Sequence, residues 1–151
     1  MDIEAFSNES GYTGRARFLA NGSPADWTAV FSATREVAFQ PGEVLVRAGE
    51  VRRSMYVVLA GRLAIEIPTE GHALRKVGDV EPGSIFGEQS FVDGLPRSGQ
   101  VTALAGGTAR VLDYEAFLTL ARRRPDLAQR IMFDIAAILS LRLRETNRLL
   151  V

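Results

Sequence analysis

The chain has 151 residues, 46% hydrophobic and 24% charged, a composition that supports a single packed core and argues against global disorder. Eighteen Lys and Arg balance eighteen Asp and Glu, which argues against the broad basic surface that nucleic-acid backbones require. With no cysteine and one histidine, His72, disulfides, iron–sulfur clusters, thiolate catalysis and multi-histidine metal centres are excluded.

No apolar run approaches the roughly 18 residues of a membrane span, and no secretory leader opens the sequence. A cytoplasmic protein without membrane association is expected. Residues 1–22 are polar and interrupted by Gly11, Gly14 and Gly22, and read as an N-terminal arm or a short packed helix ahead of a domain spanning 23–151. Ser23-Pro24-Ala25-Asp26 carries a helix start: a capping hydroxyl, proline at the first helical position and an acid at the third. Trp27, Val30 and Phe31 supply the apolar face of this short helix.

From residue 35 to about 113 the apolar period becomes two. Val37 and Phe39 alternate before Pro41-Gly42, and Val44 and Val46 before Ala48-Gly49-Glu50. Met55 to Leu59 predicts a strand ending near Gly61, followed by another through Leu63, Ile65 and Ile67. Thr69 to Gly71 turns the chain, and His72 falls in that turn as a solvated residue. Val77 and Val80 continue the pattern to the turn at Pro82-Gly83. Val101 to Leu104, a turn at Gly106-Gly107, and Ala109 to Leu112 complete it. Several short strands at this spacing predict an antiparallel barrel or roll.

The remainder is helical. Tyr114 to Arg123 is a short amphipathic segment, Arg122 to Arg124 a solvated basic helix end, and Pro125 opens a long helix over about 125–150. Ile131, Ile135 and Ile138 form one stripe on it, and Met132, Leu139, Leu143 and Leu150 form another. Together they exceed the roughly 100° stripe of an ordinary surface helix. Either the helix is wholly buried in its own chain or it forms a homodimer seam with a second copy.

Chemistry concentrates at GSIFGEQSFVDGLPRSG, residues 83–99. Gly87 permits close backbone approach, and Glu88 is an acceptor-only carboxylate suited to hydroxyl partners. Gln89 to Val92 can form one helical turn, ended by Asp93-Gly94. Arg97 offers a planar fork of donors suited to phosphate, and Ser98 adds a hydroxyl. A phosphate beside a ribose 2′-hydroxyl would satisfy these groups together. Read as a lone pair, Glu88 and Arg97 would instead form a surface salt bridge.

This segment resembles the phosphate-binding cassette of the cyclic nucleotide-binding domain family, which includes the catabolite activator protein, protein kinase A regulatory subunits and cyclic nucleotide-gated channels. The resemblance extends over about residues 24–150. Leu59-Ala60-Gly61, Pro82-Gly83 and the two closing helices fall in the expected order. It implies a mainly β, α+β fold: an antiparallel, jelly-roll-like β-roll with a short N-terminal helix, a cassette helix and two C-terminal helices. It further implies that cyclic AMP or cyclic GMP binds, with Arg97 on the cyclic phosphate, Glu88 on the ribose hydroxyl and Ser98 on the phosphate or base edge. Gly87, Gln89 and Gly99 complete the cassette, and Val77 and Val80 match positions lining the base pocket. Arg142 is placed to cap the base, with Arg144 and Asn147 as rivals. Two positions depart from the family pattern: Gln89 replaces the usual aliphatic residue and Gly99 the usual alanine.

The sequence contains no nucleophile–base pair, paired acids or metal set. A non-enzymatic receptor is expected, without a resident cofactor, signalling to an effector protein by movement of the last helix. The helix-turn-helix domain of activator-type relatives has no counterpart before Val151, so direct DNA binding is not expected. The alternative is a dimerisation or interaction module with a degenerate pocket.

Overall fold

The computed structural model describes residues 17–71 and 73–150, so most of the 1–22 arm, together with His72, lies outside the described residues. Ser23 and Asp26 form the reciprocal capping box that starts helix α1, Pro24–Ala33. The roll follows as β1 (Arg35–Phe39), β2 (Val44–Val46), β3 (Ser54–Pro68), β4 (Leu74–Val80), β5 (Ile85–Phe86) and β6 (Gln100–Asp113). Helix α2 (Glu88–Asp93) lies between β5 and β6, and α3 (Tyr114–Arg123) and α4 (Pro125–Arg148) close the chain. The sheet runs β1-β6-β3-β4, with β2 added to β6 and β5 to β3; every pairing is antiparallel. This is the mainly β architecture with flanking helices that the alternation predicted.

Two expected strand ends are continuous strand. β3 passes through Gly61 and β6 through Gly106-Gly107. The glycines bend a paired ribbon: Gly61 has φ +91°, and the β3–β6 register shifts on either side of it. A Cβ on Gly107 would lie 1.9 Å from the Ala60 carbonyl, and one on Gly61 would lie 2.8 Å from the Gly106 carbonyl. The backbones cross where neither can carry a side chain, so the ladder curves without breaking.

Packing on both sides of β3 explains the unbroken apolar run Met55–Leu59. Met55, Val57 and Leu59 face a helical layer with Trp27, Phe91, Leu112, Leu127 and Ile131. Val58 points into the roll beside Phe39, Leu63, Val80 and Phe86. Phe18 and Leu19 are also buried in the helical layer.

On α4, Leu127, Ile131, Ile135 and Ile138 are buried, whereas Met132 and Leu143 are exposed and Phe133 is 74% exposed; Leu150, just past the helix end, is exposed as well. Burial of the whole helix within its own chain is therefore excluded: the core covers one stripe only, and no residue from 139 to 150 is fully buried. Among the described residues, no helix is long and apolar enough to cross a membrane.

The near end of α4 is fixed electrostatically to α1. Arg124 donates to Asp26 at 2.8 Å and to Asp126 at 2.9 Å, while Arg130 lies 2.9 Å from the other Asp26 oxygen. Arg124 is thus a structural partner, where the sequence suggested only a solvated helix end. Burial of Asp26 opposes ionisation, but hydrogen bonds from Arg124, the Ser23 backbone and Arg130 outweigh it and hold the carboxyl well below its usual value of 3.8. A depressed folded-state pKa contributes stability above the unfolded value and loses it as pH falls through the folded one. Asp26→Asn is therefore expected to cost about 1–3 kcal/mol near neutral pH and to flatten the loss of stability below about pH 4. Denaturant unfolding across this range checks both effects, and an unchanged acid limb would refute the assignment.

Candidate functional site

The cassette is assembled around Arg97. Its backbone N–H donates to Glu50 O and its carbonyl accepts from Gly49 N–H, both at 2.8 Å, pinning the loop to the turn after β2. Its guanidinium turns inward, donating to Gly87 O at 2.7 Å, Ser54 O at 2.8 Å and Ser54 Oγ at 3.1 Å. Arg97 is only 5% exposed. Burial pushes its pKa below the usual arginine value, with nearby Tyr56, Glu50 and Glu88 opposing the shift and Arg52 adding to it. Among the described residues, no carboxylate lies within ion-pair distance of it, so the surface Glu88–Arg97 salt bridge does not form.

Gly87 makes this arrangement possible. It is left-handed at φ +77°, and a Cβ there would lie 2.9 Å from Arg97 Nη1 and 3.0 Å from Ser54 O. α2 then begins at Glu88 and ends at Gly94, also left-handed. Arg53 braces its far end, donating to Phe91 O and Val92 O at 3.0 and 2.9 Å while lying 3.5 Å over the Tyr114 ring.

Glu88 is 6% exposed and pairs with Arg142 of α4, which also donates to Ile85 O. The residue expected to cap a base thus holds the carboxylate expected to meet a ribose hydroxyl. Ser98 Oγ donates to Gln89 Oε1 at 2.6 Å, giving the unusual glutamine a defined partner. Gly99 also has a steric reason: a Cβ would lie 2.8 Å from Glu66 O.

These groups border a cavity of about 360 Å³ between the roll, the cassette and α4, within the range of small-molecule sites. Gly87, Glu88, Gln89, Arg97, Ser98, Gly99, Val77 and Arg142 all line it. Val80 does not: it pairs opposite Leu63 and packs fully buried inside the roll. Arg144 and Asn147 do not line it either, whereas Glu145 and Thr146 do. Sequence reasoning missed those two. The available signal for Thr146 was the i, i+3, i+4, i+7 face it shares with Leu139, Arg142 and Leu143, and for Glu145 its place three residues after Arg142. Acceptors and donors thus meet an apolar wall that includes Ile65, Phe86 and Val101. Among the described residues, no group of three or more His, Asp or Glu could hold a metal ion.

Comparisons give this geometry a context. Residues 36–124 match the sequence model of the cyclic nucleotide-binding domain. The chain is 29% identical over 109 residues to a cyclic AMP receptor protein of Thermus thermophilus, covering 72% of this chain and 49% of that protein. It is 34% identical over 91 residues to a cAMP-dependent protein kinase regulatory subunit of Blastocladiella emersonii, covering 60% and 23% of the respective lengths. The chain thus spans about half or less of these curated relatives. Among solved structures, a cyclic nucleotide-binding domain from Methylobacillus flagellatus superposes with TM-score 0.83 at 21% identity, covering 98% of this chain and 84% of that one. That likeness is one of fold.

The close approach at Gly87 makes a direct prediction. Gly87→Ala forces a Cβ into the Arg97 contact at a left-handed position, and is expected to lower stability by about 1–3 kcal/mol. Chemical denaturation measures it, and a loss within about 0.5 kcal/mol would contradict the packing.

Proposed function

The chain belongs to the cyclic nucleotide-binding domain family, and we propose that it binds a cyclic nucleotide, cyclic AMP in preference to cyclic GMP, in the cavity beside the cassette. One observation carries the reading. Arg97 brings a buried guanidinium to the cavity wall with carbonyl and hydroxyl partners but no ion-paired carboxylate among the described residues. An anion entering there meets a positive charge held by protein dipoles.

In this reading Arg97 attracts the cyclic phosphate, Ser98 and the 87–89 and 97–99 backbone surround it, and Glu88 accepts from the ribose 2′-hydroxyl. Gln89 orients Ser98, and Val77 meets the base. The relatives, a cyclic AMP receptor protein and a cAMP-dependent protein kinase regulatory subunit, favour cyclic AMP. Ser98 adds no preference for cyclic GMP.

The receptor is regulatory and non-catalytic, located in the cytoplasm, with 23–151 as the binding domain and 1–22 as an arm. Occupancy reaches an effector protein through α4. A second copy of the chain covers the exposed stripe containing Met132, Phe133 and Leu143, which the chain's own core leaves open.

Calorimetric titration with cyclic AMP and cyclic GMP tests ligand binding. Dissociation constants for both weaker than about 100 μM would reject the receptor and favour an interaction module with a degenerate pocket. Arg97→Ala should weaken binding by about a hundredfold or more, because it removes the phosphate's countercharge. Sedimentation at micromolar concentration tests the dimer: Phe133→Glu should yield a monomer, and a wild type that is already monomeric would remove the proposal.

A further inference from the structure

We propose that Gln89 is a specificity-determining residue of the site, giving the ligand's phosphate a second donor on the oxygen that Arg97 leaves open. The proposal rests on the receptor reading and goes beyond the orienting of Ser98. A cyclic phosphate is a monoanionic diester with two unesterified oxygens, each able to accept a charge-assisted hydrogen bond. The side chains lining the cavity carry nitrogen donors at three places among the described residues: Gln89, Arg97 and Arg142. Arg142 directs its hydrogen bonds to Glu88 and Ile85 O. Arg97 commits both terminal nitrogens to Gly87 and Ser54, so an anion meets only what remains of its fork. Arg97 is also almost wholly buried, whereas Gln89 is exposed at the same cavity. An anion held there has the guanidinium on its buried side and the carboxamide on its open side.

The bond between Gln89 and Ser98 decides which atoms this donor presents. Ser98 Oγ donates to Gln89 Oε1 at 2.6 Å. A serine hydroxyl has one proton, and this one is spent on the amide oxygen; a carboxamide held by its oxygen keeps both N–H groups. Among the described residues, nothing accepts from Gln89 Nε2. The pair therefore offers the lone pairs of the hydroxyl and the donors of the amide, and only the donors suit an anion. Gln89 is the second residue of α2, and a helical side chain leans toward the helix N-terminus, in this case toward Gly87 and the guanidinium bound to it. An exposed amide ordinarily spends its donors on water as a free rotor. Gln89 is already held by Ser98, nine residues along the chain, so less freedom is lost when a ligand takes its N–H groups.

A double-mutant cycle separates this contact from orientation alone. Cyclic AMP affinity is measured calorimetrically in wild type, Gln89→Met, Ser98→Ala and the double variant, with melting curves to confirm folding. Gln89→Met should weaken binding roughly five- to twentyfold, and still by about threefold or more when made in the Ser98→Ala background. If Gln89 acted only through Ser98, the second effect would vanish. The two phosphorothioate diastereomers of cyclic AMP, each with sulfur in place of one unesterified oxygen, give a measurement that a structural role would not move. Sulfur accepts hydrogen bonds weakly, so only one diastereomer weakens the amide contact. The ratio of their dissociation constants should change by about threefold or more on Gln89→Met. Unchanged cyclic AMP binding by Gln89→Met, an effect that vanishes in the Ser98→Ala background, or an unchanged diastereomer ratio overturns the contact while leaving the receptor intact. Wild type that binds none of these compounds overturns the receptor reading and this role with it.

Discussion

The inward turn of Arg97 is the interaction on which the site depends. A buried guanidinium is costly unless its donors are met, and Gly87 and Ser54 meet them from two separate elements. This network ties the loop after α2 to the start of β3 and leaves the charge at the cavity wall. It also limits residue 87 to a backbone without a Cβ. Cassette shape and the presentation of this charge at the cavity wall therefore arise from the same hydrogen bonds, so a substitution that disturbs one disturbs the other.

The roll serves this network by supplying two curved strands as its frame. β3 carries Ser54 at one end and the cavity residues Ile65 and Ile67 toward the other. β6 begins immediately after the cassette and returns along β3. The glycine crossing curves the pair, allowing one strand to serve both the helical layer and the cavity. A straight ladder would place these groups along a flat surface.

Much of the fold was legible in the sequence because burial imposes a period of two on the strands, while Ser23, Pro24 and Asp26 mark a helix start. Gly61 and Gly106-Gly107 misled because the same residue type serves turns and crowded strand crossings; only the position of the opposing backbone separates them. Glu88 and Arg97 stood out by charge and spacing. Their partners did not, since Ser54 and Arg142 arrive from forty-three and fifty-four residues away. Val80 has a residue type suitable for a pocket wall, but its place opposite Leu63 consigns it to packing. Glu145 and Thr146 required the rotational phase of α4, which its contact with the cassette sets.

The uneven burial of α4 makes it a lever. Its first half is clamped by Asp26 and the isoleucine stripe, so any rotation has its fulcrum near Ile138. The ten residues from 139 to 148 form an arm of about 15 Å at the standard helical rise. A tilt of roughly 20° would carry its tip about 5 Å while the core side chains beneath the fulcrum stay in register.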